Sequence, residues 1–257
     1  MMALDLPGHG GSTIPGPEVK TDIEYVMGKL NKFLDLVGVS DRKVHIAGSS
    51  LGGAISGIFA AHHPERVEKV SIICPPMETP VNSAFLKELK QAMALEPESL
   101  TFEHCSLLPQ DLESTKKMFD LCTYNKVSDK LNDQIWKGFL LLRLNRNDFN
   151  LRMFKNLANY DYLNLLTSLA PEIKVPSQLI WGQDDAVTHM SGAEVLQSKL
   201  PNCRHVDILE QCGHAIDIDR PGALCKALSK FIKEDVDASS EVTTLRSSWK
   251  KEDKKGK

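Results

Sequence analysis

The chain has 257 residues, 42% of them apolar and 6% aromatic, which is the make-up of a globular protein with one good core and room for a modest insertion. Its net charge of −3 gives no electrostatic footing for a nucleic-acid partner. No stretch approaches the ~20 apolar residues that cross a bilayer, since the longest patch, Phe139-Leu140-Leu141-Leu142, stops at Arg143.

Met1-Met2-Ala3-Leu4-Asp5 has no basic n-region and no apolar h-region, so no targeting peptide is visible. These residues read as the end of a strand entering the turn Leu6-Pro7-Gly8-His9-Gly10-Gly11. Val19, Ile23, Val26, Met27, Leu30, Phe33, Leu34 and Val37 recur at three- and four-residue steps, which predicts an amphipathic helix ending near Gly38. Val44–Ala47 is a short strand, followed at once by Gly48-Ser49-Ser50-Leu51-Gly52-Gly53 and a helix that stops before Pro64. Val70–Ile73 is the next strand. Strand, helix and strand at this spacing imply a parallel sheet with right-handed crossovers.

From about residue 75 to 170 the pattern is helical, with apolar positions at Phe85, Leu89, Met93, Met118, Phe119, Trp136, Phe139, Phe149 and Phe154. Alternation resumes with a strand at Val175–Trp181, a helix near 192–200, a strand at His205–Leu209 and a helix at 221–233, where Pro221 suits the first turn. Residues 1–74 and 171–233 are therefore expected to form the core, 75–170 a helical cap insertion, and 234–257 a disordered polar tail. The cysteines at 74, 105, 122, 203, 212 and 225 show no C-x-x-C pair and no zinc-like spacing to histidine, so reduced buried thiols are expected and no metal. No P-loop, G-x-G-x-x-G or H-E-x-x-H occurs, and no cofactor is implied.

Gly48-x-Ser50-x-Gly52 carries the chemistry. A serine nucleophile on a strand-to-helix turn needs a strained backbone to lift its hydroxyl clear of the sheet, and glycine is expected at both flanking positions because side chains there would collide. Such a pattern arises by chance in roughly one chain in ten of this length; its place between a strand and a helix is what sharpens it. The Leu51 N–H, at the start of the helix, is placed to donate to a developing oxyanion. His214 follows the last strand and Asp184-Asp185 the strand before it, in the order Ser, Asp, His. Either carboxylate could hold the imidazole of His214, and spacing alone does not separate them. His9 is read as bracing its loop and His45 as a strand residue of the core.

Asp5-Leu6-Pro7-Gly8-His9-Gly10, Gly48–Gly53, Pro64-Glu65-Arg66-Val67, Ile180-Trp181-Gly182-x-x-Asp185 and Cys212-Gly213-His214 together resemble the α/β-hydrolase superfamily. Cys74-Pro75-Pro76, Leu121-Cys122-Thr123-Tyr124 and Leu209-Glu210-x-Cys212-Gly213-His214 are similar to its monoacylglycerol lipase branch of the α/β-hydrolase domain-containing six type. The resemblance implies an α/β-hydrolase fold, with a mostly parallel sheet, helices on both faces and a helical cap over an acyl pocket. It implies Ser50 as nucleophile, His214 as base and, three residues after Gly182, Asp185 as acid. It further implies hydrolysis of monoacylglycerols, a lipid ester substrate met at a membrane surface, and a location at the cytosolic face of internal membranes. The family also has an N-terminal anchor, strands ahead of the Asp-x-Pro-Gly-His turn and a His-Gly loop that gives a second oxyanion donor. None is in this sequence, so the N-terminal strands are expected to be missing, with an exposed sheet edge and low stability. Loss of one oxyanion donor costs about 10²–10³ in rate. Two alternatives remain. A peptidase or C–C hydrolase on the same fold would be separated by substrate screening, and a non-catalytic ligand- or partner-binding relative would bind ligand without turnover.

Overall fold

The computed structural model describes residues 1–94, 100–157 and 160–235. Four strands, β1 (Val44–Ser49), β2 (Val67–Ile73), β3 (Ser177–Gly182) and β4 (Cys203–Leu209), pair in the order β1-β2-β3-β4, and every pairing is parallel. Parallel neighbours need crossovers. Helix α2 (Leu51–His62) makes the first, and α7 (Ser191–Lys199) the last. Helix α1 (Ile23–Leu36) precedes β1, and the short α8 (Ile216–Asp219) and longer α9 (Pro221–Lys233) follow β4.

The twofold alternation of β2 sends its side chains to two different layers. Ile72 contacts the α2 side, where a Cβ on Gly57 would lie 3.1 Å from its side chain. Lys69 and Ser71 point the other way, toward α9. On that face Phe231 stands edge-on to His45 and His205, and Lys69 Nζ donates to the carbonyls of Phe231 and Ile232 at 3.0 and 3.2 Å. Helices thus cover both faces. Phe59, Ile72, Leu179, Ile180, Trp181 and Leu196 are buried in the main core.

Between β2 and β3 lie α3 (Ala84–Met93), α4 (Leu112–Cys122), α5 (Asp133–Leu157) and α6 (Tyr160–Leu169), with no strand among the described residues. Trp136 organises the α4–α5 pair: its indole N–H donates to Ser128 O and Leu131 O, both at 3.2 Å, and its ring packs on Phe119. A second apolar cluster joins Phe85, Leu86 and Leu89 to Leu163 and Val187, while Leu166 and Ala170 belong to the main core. No helix among the described residues is long and apolar enough to cross a membrane.

Three expectations need correction or limits. Residues 1–5 form no strand: they pair with no neighbouring strand, and Asp5 instead folds back, accepting from Gly11 N at 2.8 Å and, through its carbonyl, from the Ser12 hydroxyl. Val19 lies outside α1, because Asp22 caps the helix by accepting from Tyr25 N at 2.9 Å. Of the polar segment 234–257, residues 236–257 lie outside the described residues. One flank of β1 carries no strand among the described residues; it borders a cavity of about 860 Å³ lined by residues 1–6, α1 and β1.

Candidate active site

Ser50 follows β1 directly and caps α2 with φ 53° and ψ −122°, a backbone that an L residue enters only under constraint. Its N–H donates to Ile73 O at 2.9 Å, and its carbonyl accepts from Gly53 N and Ala54 N at 2.8 and 3.1 Å. An N-cap serine commonly accepts from its own helix. Here the hydroxyl makes no such bond; it donates to His214 Nε2 at 2.9 Å. Leu51 is the first residue of α2, where N–H groups lack an intrahelical partner.

Glycine is required by the geometry at Gly48 and Gly53. A Cβ on Gly48 would lie 2.1 Å from Gly52 O, and one on Gly53 would lie 2.7 Å from Ile73 O. At Gly52 the expected collision does not exist, since nothing stands within 4 Å of a Cβ. The atom of Gly52 that matters is its carbonyl, against which Gly48 packs.

His214 Nδ1 donates to Asp185 Oδ2 at 2.8 Å, and Asp185 Oδ1 accepts from Val187 N and Thr188 N, each at 2.8 Å. Both carboxylate oxygens of the buried Asp185 are engaged. Asp184 points elsewhere: its carboxylate accepts from Cys212 N at 3.3 Å and its amide donates to Cys212 O at 2.9 Å, which pins the loop that carries His214. The loop is also fixed by close backbone approach, a Cβ on Gly182 falling 2.1 Å from Gly213 O. Burial alone disfavours the imidazolium of His214. The Cys74 sulfur and the Asp185 carboxylate outweigh it and hold the ring well above the ordinary histidine pKa of 6.5.

Ser50, His214 and Asp185 are thus brought into one hydrogen-bonded chain, with Leu51 beside it. Sequence reasoning missed several neighbours. Cys74, at φ 34°, places Sγ 3.5 Å from His214 O, and its donor atom lies within 4.8 Å of those of Asp185 and His214. These are types of group that bind divalent metals, but His214 Nδ1 and Asp185 Oδ2 are already committed to each other. Asp219 accepts from Gly213 N at 2.8 Å and from Tyr124 N at 2.7 Å, tying the His214 loop to the segment after α4, and Ala215 N donates to Cys122 O at 2.7 Å. The signals for Cys74 were its place after β2 and the similarity of Cys74-Pro75-Pro76, which gave it no role; nothing in the sequence pointed to Asp219. All six cysteines are free, and only Cys225 is exposed; burial pushes Cys105, Cys203 and Cys212 up to about 12.

Two cavities flank the elbow. One is the cavity of about 860 Å³ along β1, which reaches Ser50. The other, about 640 Å³, lies under α5 and is largely apolar, with Ile14, Leu108, Leu141, Met153 and Phe154 in its wall beside Leu51.

The family model for the alpha/beta hydrolase fold matches residues 2–221, and the chain belongs to that family. Its relatives include the monoacylglycerol lipase abhd6-A of Xenopus laevis, 32% identical over 233 residues that cover 90% of this chain and 67% of the relative. The monoacylglycerol lipase ABHD6 of Homo sapiens is 29% identical with the same coverage. Among solved structures, the chain resembles a membrane phospholipase A, a bacterial virulence factor, with a TM-score of 0.71 and 26% identity over 89% of this chain and 68% of that one. That these relatives are named monoacylglycerol lipases supports an esterase or lipase enzyme.

Proposed function

We propose that the protein is a serine esterase that hydrolyses monoacylglycerols at a membrane surface, with Ser50 as nucleophile, His214 as base and Asp185 as orienting acid. The observation that carries this reading is the continuous chain from Ser50 Oγ to His214 Nε2 and from His214 Nδ1 to Asp185, at 2.9 and 2.8 Å. In the proposed reaction Ser50 Oγ attacks the ester carbonyl carbon as its proton passes to His214. The imidazolium is stabilised by Asp185, and the oxyanion accepts from Leu51 N–H. His214 then gives its proton to the departing alkoxide, leaving glycerol and an acyl-serine. Water, deprotonated by His214, attacks the acyl carbon, and the carboxylic acid departs as Ser50 regains its proton. No step calls for a cofactor or a metal.

The apolar cavity under α5 fits an acyl chain. Support for the glycerol ester comes from the relatives, and the resemblance of the sequence implies the cytosolic face of internal membranes as the setting. The deciding experiment is fluorophosphonate labelling of the chain beside Ser50→Ala. Labelling that disappears in the variant is expected, followed by hydrolysis that favours long-chain monoacylglycerols. A folded wild-type chain that takes no label would sink the proposal. Preference for short soluble esters would sink the acyl-pocket assignment alone.

A further inference from the structure

His9 occupies the junction of the two cavities beside the elbow, and together with Leu51 it lines both. Its backbone is fixed on either side. The amide donates to Leu6 O at 2.9 Å and the carbonyl accepts from Ser12 N at 2.9 Å. The flanking carbonyls of Gly8 and Gly10 both accept from the guanidinium of Arg146 on α5. The ring stands edge-on to Phe149, with centroids 6.2 Å apart. Gly8, at φ +77°, lies so close to Phe149 that a Cβ would fall 2.0 Å from the ring. The imidazole is therefore held in place before any ligand arrives.

Its tautomer follows from one contact. Nδ1 lies 3.1 Å from Pro7 O, and a carbonyl oxygen only accepts, so Nδ1 carries the proton. In the neutral ring Nε2 then has a lone pair and no proton. Among the described residues it has no hydrogen-bonding partner. Such an atom cannot bond to an ester carbonyl or ester oxygen, which are acceptors themselves; it requires a donor.

We infer that His9 Nε2 accepts a hydrogen bond from a free hydroxyl of the substrate's alcohol part, and so makes the site selective for polyol esters over simple alkyl esters. The inference rests on the proposed esterase reading and makes His9 a specificity-determining residue. A glycerol monoester keeps two hydroxyls beside the scissile bond, whereas a methyl ester of the same acid has none. With one acyl chain, the fit to the apolar cavity is the same for both, and only the alcohol differs.

The test compares kcat/KM for monooleoylglycerol and for methyl oleate in the wild type, His9→Phe and His9→Gln. The ratio of glycerol ester to methyl ester is expected to fall about tenfold in His9→Phe, the worth of one hydrogen bond. Part of it should return in His9→Gln, whose amide oxygen can accept. An unchanged ratio overturns the inference, whether both activities fall together, as loss of a loop brace would cause, or neither does. A wild type that hydrolyses methyl oleate through Ser50 without favouring the glycerol ester also overturns it, while leaving the esterase reading intact. If the wild type hydrolyses neither ester and Ser50 takes no fluorophosphonate, the esterase reading fails and the inference with it.

Discussion

The steric demands at the elbow differ sharply between the two glycines that flank Ser50, Gly48 and Gly52. Gly48→Ala would drive a methyl group to 2.1 Å from Gly52 O and 2.6 Å from Ser56 Oγ, and the Gly52 backbone cannot swing aside as a flexible side chain would. We expect a loss of about 3 kcal/mol or more in urea unfolding, with no labelling of Ser50. Gly52→Ala meets nothing within 4 Å and sits in the first turn of α2, so it should keep its stability to within about 1 kcal/mol. Equal damage from the two would refute the steric account. The pH profile tests the pair beyond the serine. A base must be neutral to take the proton, so kcat/KM should fall as pH drops through the His214 pKa, which lies above 6.5. Asp185→Asn removes the anion that favours the imidazolium. Its acid limb should therefore move to lower pH, and its plateau should fall about 10³–10⁴-fold. An acid limb that stays in place would mean that Asp185 does not set the charge state of His214.

Elements meet at the site through bonds that span long stretches of chain. Asp219, on the short α8, holds both the amide before His214 and the start of the segment after α4, at 2.8 and 2.7 Å. Asp219→Ala leaves the amides of Gly213, Tyr124 and Asn125 without this acceptor, so that Ala215 N to Cys122 O remains as the tie between the His214 loop and the end of α4. Fluorophosphonate labelling should slow about tenfold while β-sheet signal by circular dichroism persists; unchanged labelling would show that Asp184 and Gly182 suffice to place His214. This distinction also marks what the sequence disclosed. Ser50, Gly48 and the strand-to-helix turn were legible because that geometry is local, and Pro221 marked the start of α9 for the same reason. Asp184 and Asp185 share one turn, and what separates them physically is a contact with residues near 212 and 214, which their own spacing does not encode and only the resemblance of Trp181-Gly182-x-x-Asp185 implies. Asp219 and Arg146 were illegible on the same grounds, their partners lying 95 and 138 residues away. Met1–Asp5 failed differently: its apolar residues suggested a strand, but a strand exists only with a partner, and Asp5 turns back on its own loop.

Across the whole sheet, the face toward α9 is built on polar side chains that satisfy one another. His45 Nε2 meets Ser71 Oγ at 2.9 Å, Ser71 donates to Gln178 Oε1 at 2.9 Å, and Gln178 Nε2 donates to Asp207 Oδ2 at 2.8 Å. One chain of bonds therefore crosses β1, β2, β3 and β4. Buried networks of this kind fix register when complete and destabilise when broken. Its weak point is His45, whose pKa burial and then the nearby Lys69 lower to about 4. The unfolded chain binds a proton near pH 6.5, so between that value and about 4 it holds more protons than the native state, and stability rises with pH. The contribution is complete above pH 6.5 and is lost as pH falls toward about 4. Because His45 is only partly buried, solvent screening reduces it to about 1–2 kcal/mol. His45→Gln cannot titrate in this range and can still bond to Ser71. Between pH 7 and pH 4.5 the wild type should therefore lose about 1 kcal/mol more urea-unfolding stability than His45→Gln. Parallel losses would place the acid sensitivity of the sheet outside His45.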